Sequence, residues 1–177
     1  MSAPGSFRIE PLSAAHDRAA FVSGSAPLDR YFREQATQDI KRRIATCFIA
    51  LNIETQEIAG FYTLAATNIA LDALAPQIIK KLPRYPVVPA VLLGRLAIAK
   101  TVQGKGMGAA LLADALIRTA RAELGVFAII VDAKDEAAQR FYERFGFTLL
   151  SGEARRLVLP IATALRQLEE SKGKTRK

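Results

Sequence analysis

The chain has 177 residues, of which 50% are hydrophobic and 24% charged, with one cysteine, one histidine and a formal net charge of +8 at pH 7. That length and balance suit one compact domain with a full core. They exclude an internal disulfide and a His-rich metal centre, and they weigh against a His-based triad. No metal site is assigned. No run of 18 apolar residues occurs, so no membrane span is expected. Met1 to Phe7 lacks the basic-then-apolar pattern of a secretion signal, which leads to the expectation of a cytosolic protein.

Phe7 to Leu12 reads as a first short strand, and His16, in Ser13 to Asp17, as a structural or solvated side chain at a helix entry. Leu28 to Arg43 reads as a helix capped by Ser25 or a neighbour, because Leu28, Tyr31, Phe32 and Gln35 to Ala36 fall at three-four spacing. Ile44 to Ile53 and Glu57 to Ala66 read as strands joined by the hairpin-length loop Glu54 to Gln56, with Cys47 a small core residue of the first. Leu71 to Leu82 predicts a second helix ended before Pro83, and Pro86 and Pro89 keep the chain extended into a strand over Val91 to Ala99. A glycine turn then opens a long helix reaching about Glu123. Its apolar face is Leu111, Leu112, Ala115 and Leu116, with Asp114, Arg118 and Arg121 towards water. The unbroken apolar run Val126 to Val131 marks a central buried strand. Asp135 to Arg144 follows as a helix capped by its acidic start, then terminal strands at Phe147 to Leu150 and Arg155 to Leu159, and a turn or two of helix over Ile161 to Leu168. Residues 1–170 form a single expected domain, and the basic stretch Ser171 to Lys177 an expected disordered tail. The order of elements gives an α/β fold: a mixed twisted sheet with an antiparallel first half, a right-handed βαβ second half and helices on both faces.

Strand, glycine turn, helix start is how a backbone makes an anion site. At Gln103-Gly104-Lys105-Gly106-Met107-Gly108 the glycines permit a tight turn and close approach, and the first helical amides have no intrahelical partner. The dinucleotide fingerprint does not fit, because the three glycines are spaced two and two. A phosphate-binding P-loop does not fit either, because Gly108 is followed by Ala109-Ala110 rather than Lys-Ser or Lys-Thr. Between Ala73 and Ala113 no acidic residue occurs, while Lys80, Lys81, Arg84, Arg95, Lys100 and Lys105 do. Such an excess fits a polyanionic partner such as a nucleic acid, or ordinary solubility charge.

Read as Gln-x-x-Gly-x-Gly, with Gln103, Gly106 and Gly108, the turn resembles the acetyl-CoA pyrophosphate loop of the GNAT superfamily of N-acetyltransferases. Phe141, Tyr142, Gly146 and Phe147 resemble the closing helix and turn of the same enzymes. The resemblance implies a GNAT fold and acetyl-CoA as cosubstrate. It implies that the pyrophosphate is held over Gln103, Gly104, Lys105, Gly106, Met107 and Gly108, and the pantetheine arm along the backbone of Leu96, Ala97 and Ile98. It further implies that Tyr142 is the proton donor near the thioester sulfur. Arg95, charged within an apolar strand, needs a structural partner or a ligand. Asp132 orients groups in the cleft, caps a helix or is solvated.

Several segments in order narrow the likeness: Leu28-Asp29, Gly60-Phe61-Tyr62-Thr63-Leu64, Tyr85-Pro86, Gly94-Arg95-Leu96-Ala97, Val131 to Asp135 and Leu157-Val158-Leu159-Pro160. Together they resemble the GNAT toxins of bacterial type II toxin–antitoxin pairs. That resemblance implies acetylation of the α-amino group of aminoacyl-tRNA, a block of translation, a ribbon–helix–helix antitoxin and a homodimer. Candidate tRNA-binding residues are Arg30, Arg33, Arg42, Arg43, Lys80, Lys81 and Arg84. The α-amine of an aminoacyl ester is less basic than a lysine amine, so a strong general base is less necessary, and none is named. Two alternatives stay open: a GNAT enzyme acting on a small amine or protein amine, and a non-catalytic RNA- or partner-binding module with a relict CoA site.

Overall fold

Runs of apolar residues at period two or unbroken set the strands, and three-four spacing sets the helices. The computed structural model of the chain describes residues 6–175. Its strands are β1 (Phe7–Pro11), β2 (Thr46–Asn52), β3 (Ile58–Ala70), β4 (Val87–Ile98), β5 (Ala128–Asp132), β6 (Thr148–Leu149) and β7 (Arg156–Pro160). Its helices are α1 (Ala26–Glu34), α2 (Ala36–Lys41), α3 (Pro76–Ile79), α4 (Met107–Ala120), α5 (Glu136–Arg144) and α6 (Ile161–Lys174), with 3-10 turns at Leu71–Ala73 and Lys100–Val102. The strands form a mixed seven-stranded sheet in the order β1-β2-β3-β4-β5-β7-β6. Pairing is antiparallel between β1 and β2 and between β2 and β3, parallel between β4 and β5, and antiparallel again from β5 to β7 and β7 to β6.

Two compact units divide the chain, residues 6–65 with 94–115 and residues 66–93 with 116–175. In the first, α1 turns Tyr31 and Phe32 inward. Phe32 stacks on Phe61 of β3 with ring centroids 4.2 Å apart, and Phe21 meets both rings edge-on. Cys47, Ile49, Leu51, Ile58 and Ala97 complete that core. In the second, Ala128, Ile130, Val158, Val88, Ala90, Ile69, Leu74 and Leu150 pack together. Ala128 to Val131 are all buried, as an unbroken apolar run predicts for a strand covered on both faces.

Several elements differ from the sequence expectation. The single helix expected over Leu28 to Arg43 is two. Gln35 stays in the right-handed region but at a distorted φ of −115°, between the two helices, and Ala36 just beyond it is fully buried. Arg43, at φ 59°, then closes α2 in a left-handed conformation. The helix expected over Leu71 to Leu82 shrinks to a 3-10 turn and the one-turn α3. Pro76 has no amide to donate and forces Ala75 into an extended conformation. Strand β4 begins earlier than expected, and Pro89 lies within it, its carbonyl accepting from Phe127. Helix α6 runs to Lys174, well past Leu168. The end expected to be disordered from Ser171 is therefore helical there, with Ser171 Oγ donating to the Gln167 carbonyl at 3.0 Å. Residues 176–177 of that tail, and residues 1–5 of the segment read for a signal, lie outside the described residues. Among the described residues no helix is long and apolar enough to cross a membrane, and no group of three or more His, Cys, Asp or Glu is placed to hold a metal ion.

Candidate active site

The parallel ladder between β4 and β5 runs from Ala90–Ala128 to Leu93–Val131, and β4 itself continues to Ile98. The 3-10 turn at Lys100–Val102 and extended Gln103 follow, then Gly104 at φ 75° and Gly106 at φ 83°. Those left-handed conformations are costly for any residue with a Cβ. Among the described residues, none but the chain neighbours of each glycine has an atom within 4 Å of where a Cβ would sit, so the space above them is open. Ala110 donates to the Gly106 carbonyl at 3.1 Å, which opens α4. The amides of Met107, Gly108 and Ala109 come before any intrahelical bond can reach them and carry the positive end of the helix dipole. A phosphate or pyrophosphate anion fits such a place. A cavity of about 360 Å³ adjoins the turn, lined by Phe7, Ile9, Val102, Lys105, Gly106, Met107 and Ala110. Of the strand residues expected to follow a cofactor arm, Ala97 is buried in the first core while Leu96 and Ile98 are half-buried.

The Gln103 side chain has a definite job. Its Nε2 donates to the Ser23 carbonyl at 2.7 Å and to the Ile98 carbonyl at 2.9 Å. Both amide hydrogens are thereby committed to backbone. Arg95 resolves towards a structural partner: its guanidinium lies 3.5 Å from the centroid of the Tyr31 ring. The Tyr31 hydroxyl donates to Asp39 at 2.9 Å, and burial and that bond raise its pKa. Asp114 does not simply face water as expected. It accepts a hydrogen bond of 2.5 Å from Tyr62, a fully buried tyrosine of β3 stacked on Phe48. A tyrosine inside an apolar strand was the available signal, since its hydroxyl needs a partner when buried.

Tyr142 belongs to the second unit. Helix α5, which carries it, starts at Asp135, whose carboxylate accepts from the Ala138 amide at 2.8 Å as expected of a cap. Phe141 and Phe147 meet the Tyr142 ring edge-on at 5.1 and 5.5 Å. The residue is 8% exposed, and burial pushes its phenol up to about 12. Among the described residues no fully buried side-chain polar atom lacks a hydrogen-bond partner, and the Tyr142 hydroxyl bonds to none of them, so this oxygen is not fully sealed off. The turn that follows α5 passes through Gly146, φ 91°, where an added Cβ would collide with the Gln167 side-chain amide. Asp132 is committed: Arg156, its register partner on β7, donates Nε at 2.7 Å and a terminal nitrogen at 2.8 Å to its two oxygens.

The candidate RNA-binding cations are exposed and divide between the units, with Arg30, Arg33, Arg42 and Arg43 in the first and Lys80, Lys81 and Arg84 in the second. Among the described residues none of the seven forms an ion pair. Arg33 is partly spent on structure, donating to the Phe21 carbonyl at 2.8 Å.

Comparison with known proteins adds independent information. A family model described as an acetyltransferase (GNAT) domain matches residues 88–158. A tRNA-acetylating toxin of Mycobacterium tuberculosis is 35% identical over 150 residues, which cover 84% of this chain and 88% of that protein. Among solved structures, the toxin AtaT complexed with acetyl-methionyl-tRNAfMet superposes with a TM-score of 0.86 at 30% identity, covering 92% of this chain and 99% of that one. A tyrosine-to-phenylalanine mutant of AtaT, bound to acetyl-CoA and the C-terminus of the antitoxin AtaR, gives a TM-score of 0.78 at 25% identity, covering 92% and 98%.

Proposed function

The chain belongs to the GNAT acetyltransferases and, within them, to the family of tRNA-acetylating toxins, and from that premise we propose that it transfers an acetyl group from acetyl-CoA to the α-amino group of aminoacyl-tRNA and so blocks translation. The observation that carries this reading is the likeness over 84% of the chain to a toxin that acetylates tRNA. It extends well beyond the segment needed for acetyl-CoA alone. We read residues 1–170 as one catalytic domain acting in the cytoplasm as a homodimer, silenced by a ribbon–helix–helix antitoxin. Support for a protein partner comes from AtaT, solved with its antitoxin.

Acetyl-CoA supplies the activated acetyl group. The residues at hand fit it: open left-handed glycines at 104 and 106, the free first amides of α4, and a stretch of β4, Gly94 to Ile98, beyond its ladder with β5. In this reading the amides from Gln103 to Gly108 hold the pyrophosphate, and the backbone of Leu96, Ala97 and Ile98 aligns the pantetheine arm. Tyr142 holds a proton at its Oη throughout the neutral range and delivers it to the sulfur as the amine–carbonyl bond forms and the carbon–sulfur bond breaks, and the proton that the nitrogen loses passes through solvent and restores the phenol. The acceptor is already partly neutral, so positioning does most of the work. Arg30, Arg42, Arg43, Lys80, Lys81 and Arg84 supply phosphate contacts, with Arg33 contributing from a tethered position.

Labelled acetyl-CoA offered together with total aminoacyl-tRNA, a polyamine and a lysine peptide tests the reading. Label should enter the RNA fraction. Label in the polyamine or peptide alone would assign the chain to the small-amine or protein-amine enzymes.

A further inference from the structure

Three consecutive carbonyls, those of Phe21, Val22 and Ser23, accept from three different places. Phe21 accepts from the Arg33 guanidinium of α1 at 2.8 Å, Val22 from the Lys100 amide at 2.9 Å, and Ser23 from the Gln103 side chain at 2.7 Å. On the other side, the carboxylate of Asp29, only 5% exposed, accepts from the Ser23 amide at 3.0 Å and the Ser23 hydroxyl at 2.6 Å. Ser23 Oγ in turn accepts from the Ser25 amide at 3.2 Å. Gly24 sits at φ 95°, and a Cβ there would stand 2.8 Å from the Lys100 side chain. Residues 21–25 are therefore a strap, sewn on one edge to α1 and on the other to the approach of the glycine turn.

We propose that Gln103 and Asp29 are positioning residues that fix the glycine turn against α1 through this strap, and that the Gln103 side chain does not itself bind the cofactor. The proposal rests on the acetyl-CoA reading of the turn. An amide with both hydrogens on carbonyls has none left for a phosphate, and only its nitrogen end suits two carbonyl acceptors. Asp29 is the buried anchor, a charged acceptor of two bonds from one residue, the stronger kind of hydrogen bond. Arg33, on the same helix, is thereby held by the strap rather than free.

Calorimetry of acetyl-CoA binding to the full chain tests this with Gln103→Met, Asp29→Ala, Asp29→Asn and the Gln103→Met/Asp29→Ala double variant. Each of the first two should weaken binding by about fivefold to tenfold, the effect of one or two lost hydrogen bonds. Asp29→Asn keeps the acceptor oxygen but loses its charge, and should weaken binding less than Asp29→Ala. The double variant should resemble the weaker single variant, because both release one strap. If Asp29→Ala binds normally while Gln103→Met does not, or if the two losses multiply, Gln103 touches the cofactor directly and the proposal falls. Ser23→Ala replaces Asp29→Ala should the latter not fold. Failure of the wild-type chain to bind acetyl-CoA would instead overturn the assignment of the turn. Amide exchange over 103–108 in the unliganded chain then decides the strap separately: faster exchange in Gln103→Met and Asp29→Ala supports it, and unchanged exchange overturns it.

Discussion

Tyr142 carries its proton in a setting that keeps it there, since burial holds the phenol up to about 12. Tyr142→Phe should lower turnover on the order of 10²–10⁴-fold while acetyl-CoA affinity and melting temperature stay nearly unchanged. Turnover within a few-fold of wild type would make it a packing residue. The same shift has a signed consequence for stability. The folded-state pKa lies above the unfolded value of 10, so the unfolded chain loses this proton first as pH rises. Its contribution is fully present below pH 10 and is lost as pH climbs towards 12. Denaturant unfolding between pH 9 and 12 should therefore show a smaller loss of stability in Tyr142→Phe than in wild type. Cys47, also pushed up to about 12 by burial, should resist thiol reagents at neutral pH until the chain unfolds. That Tyr142 lies near the end of a short helix closed by a glycine turn was legible in the sequence, from the acidic start at Asp135 and from Gly146. The commitments of Arg95 to Tyr31, Asp132 to Arg156 and Asp114 to Tyr62 were not, because each joins residues distant along the chain whose meeting depends on strand register and packing.

At the scale of elements, the glycine turn and the start of α5 are local and were readable as such. Asp135→Ala should cost about 1 kcal/mol by removing the α5 cap, measured by denaturant unfolding. Gly106→Ala should cost about 1–2 kcal/mol from its left-handed backbone even though the space is open. Gly60→Ala meets a different obstacle: a Cβ there would stand 2.9 Å from the Ala97 carbonyl oxygen and 2.9 Å from Leu111. It should destabilise the first unit without touching the turn's conformation. What misled the periodicity was equally local. Three-four spacing continues across Gln35, and the helix nonetheless divides there at a distorted φ. Pro76 was a breaker in plain view, yet the apolar spacing of Leu71 to Leu82 concealed it.

Across the whole molecule, a net charge of +8 and a basic, acid-free stretch from Ala73 to Ala113 weigh on the choice of acceptor. Charge alone suits RNA and simple solubility equally, and family membership is what favours RNA. Replacing Lys80, Lys81 and Arg84 together with Glu should weaken acetylation of charged tRNA, flatten its salt dependence and leave acetyl-CoA affinity intact. An unchanged salt slope would assign those side chains to solubility. The measurement that bears most directly on the central claim is chemical. Charged tRNA is incubated with the protein and acetyl-CoA, the ester is then cleaved in mild base, and the released amino acid is weighed by mass spectrometry. The account predicts an N-acetyl amino acid, with the acetyl group on the former α-amine. Recovery of the unmodified amino acid, with acetyl groups found only on other amines or nowhere, would contradict it.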